Sequence, residues 1–138
     1  MRWICDNNRE ISFNIFRYRI DPARKAPSKG SQYVKEFLLQ VSPNDVWTEE
    51  LRIPRTKLRV DFVNFTKKYA IEFNGGCHHE SYVKHFHKNR IGFLKALRRD
   101  ASKAIHLERN NIQLIEIYDD DLDYLTRDWF QKKFDIMV

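Results

Sequence analysis

The sequence predicts a mixed α/β (α+β) domain in which a central mixed β-sheet carries helices on its faces. Three observations lead there. Apolar residues at helical spacing mark one helix from Ser31 to Val41 and a longer one from about Lys88 to Asn110. Val46 to Ile53 and then Leu58 to Phe73 read as strands in β-branched and aromatic residues, with a polar break at Asn64 to Lys68 that suits a hairpin loop. The order is therefore helix, strand, strand, strand, helix, strand, helix, and chains that intermix the two pack helices against a sheet.

Bulk properties bound the rest. A chain of 138 residues has the length of one domain and can bury a core without staples. Its 42% hydrophobic and 14% aromatic content excludes a disordered chain. A net charge of +6 suits a polyanionic partner. Cys5 and Cys77 read as two reduced thiols, not a disulfide framework. The opening MRWICDNNRE lacks the apolar core of a signal peptide, and no apolar run approaches membrane-spanning length. A soluble, cytoplasmic protein is expected.

Residues 1–138 read as one domain, with 1–30 as an N-terminal extension that ends in a basic linker. In the extension Ile11, Phe13 and Ile15 alternate and could form a short strand. The linker DPARKAPSKG holds Arg24, Lys25 and Lys29, either as a solvated loop or as an arm along a phosphate backbone. Val34, Phe37, Leu38 and Val41 share one face of the first helix, which Pro43 closes. The strand after it contains Glu49 and Glu50 and stops at Pro54. Trp47 reads as core. In the long helix Ile91, Leu94, Leu97 and Ile105 form the buried stripe, while Lys88, Arg90, Lys95, Arg98, Arg99 and Lys103 cover the remainder. That excess of positive charge suits phosphates, with Lys88, Arg90, Arg98 and Arg99 as contacts. Asn110-Asn111 signals the helix end. Ile112 to Tyr118 is the last strand, and Asp119 to Asp121 are expected to cap a final helix from Leu122 to Met137.

Asp61 and Glu72 stand out because acids are depleted in strands and rarely buried unpaired. The hairpin can set them side by side on one face. Two facing carboxylates repel, and hard oxygen ligands of this kind suit a divalent cation such as Mg2+. Alternatively one acid lies at a strand edge and the other pairs with Lys67, Lys68 or Arg59. Gly75-Gly76 and His78-His79, just after Glu72, favour a site. Zinc held by Cys77, His78, His79 and His87 would match no standard ligand spacing.

RVDF and AIEFNGGCHH resemble the PD-(D/E)xK nuclease superfamily, in particular its branch of very-short-patch-repair endonucleases and phage- or intron-associated homing endonucleases. A weaker likeness continues through RRDASKAIHLERNNIQLIEIYDDDL, and the whole covers roughly Ser28 to Leu122. The resemblance implies a restriction-endonuclease-like core and a Mg2+- or Mn2+-dependent, sequence-specific endonuclease acting on double-stranded DNA, of homing type, in the host cytoplasm if phage-encoded. It implies Asp61, Glu72 and the backbone carbonyl of Phe73 as metal ligands. Asn74 takes the usual lysine position, and an amide can orient water but cannot stabilise hydroxide as an ammonium does. The third catalytic role would then fall to His78, with His79 its rival. Where relatives carry a glutamate at the start of the first helix, this chain has Ser31 and Gln32; Glu36, a turn later, reads as surface. A mismatch-repair-type nicking enzyme and a nuclease-fold DNA-binding protein without cleavage are the alternatives, and a homodimer is compatible with either.

Overall fold

Ser28 begins the first helix, α1 (Lys29–Val41): its hydroxyl accepts the Ser31 amide at 3.1 Å and satisfies one of the free donors of the first turn. The computed structural model describes residues 1–74 and 90–136, with residues 90–97, 99 and 100 as backbone alone. Two short antiparallel strands, β1 (Arg2–Ile4) and β2 (Glu10–Ser12), precede α1. Then come β3 (Trp47–Arg52), β4 (Arg59–Asn64), β5 (Tyr69–Asn74), α2 (Arg90–Arg109), β6 (Gln113–Tyr118) and α3 (Arg127–Phe134).

The main sheet has the order β3-β4-β5-β6. Its first three strands are antiparallel neighbours, whereas β6 runs parallel to β5. The β4–β5 turn is set locally. Asn64 Oδ1 accepts the Lys67 amide at 2.8 Å, and Lys68 takes a left-handed φ of 63°. Asn111 does the same after α2, at φ 61°.

Two apolar clusters cover the two faces of the sheet. Val34, Phe37 and Leu38 of α1 and Phe130 of α3 meet Phe62, Tyr69, Ile71 and Ile117 in one; Trp47 belongs there too, as core. Leu107 of α2 joins Val63, Ala70 and Ile112 in the other. No helix among the described residues is long and apolar enough to cross a membrane.

Two expectations are corrected. Residues 1–30 do not hang off the domain as an extension. Trp3 and Cys5 are buried in the second cluster, and Asn110 grips Ile4 through both its amide atoms, at 2.7 and 3.0 Å. The final helix does not begin at Leu122. Asp119–Tyr124 form a 3₁₀ turn, and α3 starts afresh at Thr126, whose hydroxyl accepts the Trp129 amide at 3.2 Å. Asp121 is occupied within the turn, accepting the Tyr118 amide at 2.9 Å and pairing with Lys133 at 3.1 Å.

Candidate active site

The hairpin register decides what Asp61 faces. Asn64 pairs with Tyr69, Val63 with Ala70 and Phe62 with Ile71. One step further along the same register, Asp61 comes opposite Glu72, where the ladder of paired residues has ended. The Phe73 amide donates to Asp61 Oδ2 at 2.8 Å, so this carboxylate takes over from a backbone acceptor at the point where the strands part.

Glu72 is nearly buried, its side chain 12% exposed. Lys103, one turn before the core residue Leu107 on α2, reaches across the face and places Nζ 2.9 Å from Glu72 Oε1. Burial, and then the charge of Asp61, push the Glu72 carboxyl up to about 8 against the pull of Lys103. The parallel ladder sets Glu116 beside Glu72, and Tyr118 Oη donates to Glu116 at 2.6 Å.

A fourth acid completes the row. Glu49 pairs with Phe62 and Leu51 with Val60, so Glu50 lies opposite Asp61. Its φ is 49°, whereas every other non-glycine residue with positive φ among the described residues lies in a turn or at a helix end. The strand changes its presentation there. Trp47 belongs to the α1-side cluster, but Leu51 and Ile53, of the same parity, belong to the α2-side one. A left-handed φ within a strand costs on the order of 1–3 kcal/mol and is commonest where a side chain must be aimed. Burial, and then Asp61, raise the Glu50 carboxyl above its ordinary range.

Glu50 and Asp61 open onto a cleft of about 550 Å³ whose opposite wall is the start of α1. Gly30 lets that wall approach: a Cβ there would come within 2.2 Å of Phe73 Cζ. Gly30→Ala trades about 1 kcal/mol of helix propensity gained against overpacking of about 1–3 kcal/mol. The expected result is a net loss of stability in urea titration, which disappears when Gly30→Ala is added to a Phe73→Ala protein and compared with Phe73→Ala alone. Equal midpoints for parent and Gly30→Ala would show that the ring moves aside freely.

The other expected site residues are dispersed. Asn74 ends β5 in register with Tyr118. Glu36 is exposed, accepts from Gln32 at 3.2 Å and stands outside the Asp61 cleft. Lys67 pairs with Asp45 at 2.6 Å at the other end of the hairpin, so it is not the partner of Glu72. Arg24 and Lys25 lie exposed on the arm before α1, Lys29 is exposed at the first residue of α1, and Arg98 is exposed on α2. Arg90 and Arg99 lie on α2 as backbone alone, while Cys77, His78, His79, His87 and Lys88 fall outside the described residues. Two residues at the site were missed by sequence reasoning. In the sequence Lys103 reads as part of a phosphate-facing helix surface, and Glu50 only as part of a strand. An acid in a strand next to a second acid was the available signal for Glu50.

No family model and no solved structure matches the chain. The chain is similar to uncharacterized protein 307L of Invertebrate iridescent virus 6, at 35% identity over 60 residues. That match takes in 44% of this chain and 30% of the relative's length.

The raised Glu72 carboxyl makes a testable statement about stability. Folded, the group holds its proton up to about pH 8; unfolded, up to its ordinary 4.5. Its contribution is fully present below pH 4.5 and disappears as pH rises through 8. At about 1.36 kcal/mol per pKa unit, the loss is a few kcal/mol at most. Urea titrations from pH 5 to pH 9 should show parent stability falling relative to Glu72→Gln. Parallel curves would remove the assignment.

Proposed function

We propose that the chain is a metal-dependent, sequence-specific DNA endonuclease that hydrolyses phosphodiester bonds, of homing type within the PD-(D/E)xK superfamily. One observation carries this reading. Asp61 and Glu72 come together on adjacent strands beside a cleft, with the Lys103 ammonium 2.9 Å from Glu72. An antiparallel β3-β4-β5 meander joined to a parallel β6, with helices on both faces, supports a restriction-endonuclease-like core.

The donor set fits a hard divalent cation. Glu72 is desolvated and raised by its acidic neighbour, which is the electrostatic setting a cation relieves. Among the described residues no three His, Cys, Asp or Glu side chains form a group that could hold a metal ion. By the resemblance to the superfamily, the protein's share of a Mg2+ or Mn2+ shell would be Asp61, Glu72 and the Phe73 carbonyl, and Mg2+ commonly takes its remaining oxygens from water and substrate phosphate. Such an ion polarises the phosphate and acidifies a bound water.

The chain's own groups have separable roles. The Phe73 amide holds the Asp61 carboxylate in orientation. Lys103 brings a positive charge to the acid pair from α2, and an ammonium there stabilises charge developing on phosphate, which Asn74 cannot do. Glu50, half-buried in the cleft with a raised carboxyl, is the candidate proton acceptor. Arg24, Lys25, Lys29 and Arg98 supply exposed positive charge for the phosphates of double-stranded DNA.

Supercoiled plasmid incubated with the protein and Mg2+ or Mn2+ tests the reading, with a chelator as control. Conversion to open circles or linear DNA is expected, suppressed by chelation. One feature favours a second reading: Lys103 Nζ already occupies Glu72 Oε1 at 2.9 Å, where a catalytic cation would have to compete with it, as suits a protein that binds DNA without cutting it. Salt-sensitive DNA binding without conversion in either metal would decide for that alternative. A protein that neither cuts nor binds DNA has neither function.

A further inference from the structure

The Asp21–Ser28 segment is an exposed loop by composition, and such loops ordinarily sample several conformations. This one is tied down from beneath. Lys35 of α1 has a side chain only 1% exposed, facing Glu49 of β3 at 4%. Its Nζ lies 2.8 Å from Glu49 Oε2, donates to the Asp21 carbonyl at 2.6 Å, and donates to the Arg24 carbonyl. An ammonium has three protons, so all three have partners, two of them on the arm's backbone. Glu49 Oε2 also accepts the Asp21 amide at 3.0 Å, and Gln32 Oε1 accepts the Ala26 amide at 2.8 Å. A buried ion pair contributes little net stability, since a well-packed apolar pair often does as well. An apolar pair, however, cannot bind backbone carbonyls.

We propose that the buried Lys35–Glu49 pair is a positioning device that holds the Asp21–Lys29 arm as a fixed rail for one phosphate backbone of duplex DNA. This rests on the DNA-acting reading above. The rail presents exposed Lys25 and Lys29 beside a groove of about 540 Å³ between arm and α1, and an Arg24 side chain that is 60% exposed. Glu36 lies in the same groove, bonded by Gln32. Holding these charges on an ordered backbone removes the cost of ordering them at binding. Pro27 and Ser28, at the end of the rail, also wall the Asp61 cleft, so the rail sets where the bound strand lies relative to the carboxylates.

The Lys35→Met/Glu49→Leu protein tests this, because it leaves no lone buried charge. Binding of a short duplex is measured against salt by fluorescence anisotropy, beside thermal unfolding. The expected protein unfolds near the parental temperature, binds about tenfold more weakly at 0.1 M salt, and has a salt slope lower by about 2.7, each of the three lost phosphate contacts removing about 0.9. The Arg24→Ala/Lys25→Ala/Lys29→Ala protein should lose the same slope, and combining the two sets should add nothing. A folded double variant with the parental slope, where the triple variant has lost it, overturns the positioning role. A parent that does not bind DNA overturns the DNA reading instead. The parent alone also decides: the Asp21 and Ala26 amides should be protected from hydrogen exchange, and free-peptide exchange rates there overturn the rail even if no variant folds.

Discussion

The Asp61→Asn protein leaves supercoiled plasmid intact under conditions in which the parent cuts it. A metal and its ligands supply several kcal/mol of transition-state charge stabilisation, so the rate should fall by about 10³-fold or more. Asparagine is the informative exchange because its amide oxygen still accepts the Phe73 N–H that Asp61 holds at 2.8 Å, so the strand end keeps its geometry. DNA affinity should hold or rise, since a negative charge has left the cleft. Single-turnover cleavage and a binding isotherm on the same duplex separate the two effects. Undiminished cutting by this variant would leave the Asp61–Glu72 pair without a catalytic role.

Changing Lys103 to methionine should cost about 10²–10³-fold in the same assay, the usual loss when one preorganised donor to a developing oxyanion is removed. The stem volume is kept, so the packing of α2 against the sheet should survive. Lys103→Arg should recover part of the rate, because the charge returns on a group of different shape. Sequence reasoning gives the third role to His78, with His79 its rival. The two diverge cleanly: if Lys103→Met cuts like the parent and His78→Ala is dead, the ammonium beside Glu72 is structural.

The legible parts of this chain were those whose determinants lie close together in sequence. The hairpin set Asp61 and Glu72 in register through a four-residue turn, and strand periodicity with the Asn64–Lys68 break was enough to read it. Lys103 was not legible, because helical periodicity separates a polar face from an apolar one without saying what the polar face covers. Lys35 was hidden in the same way. Flanked by Val34 and Glu36, its place in the sequence carries no sign of Glu49 and the arm, which only the fold closes over it. The N-terminal strands were misjudged because three-residue segments carry almost no periodic signal; long-range contacts, such as Asn110 to Ile4, hold them. The break before α3 was readable after all. Thr126 and Asp128 form a helix start that the conspicuous run of three aspartates overshadowed.

The separation of Glu72 from Lys103 by 31 residues also orders events in time. A hairpin with a short turn closes in about 1–10 μs, whereas joining β6 to β5 in parallel waits for a long crossover to be drawn in. The two carboxyls are therefore expected to meet before α2 arrives with its ammonium, leaving the nascent sheet with an uncompensated acid pair in that interval. The folding barrier inherits this: refolding should slow as alkaline pH strips the shared site of protons, while the unfolding limb of the chevron changes less. Divalent cations should speed refolding at the same pH, making the assembly rate of this sheet a reporter of the chemistry at its edge.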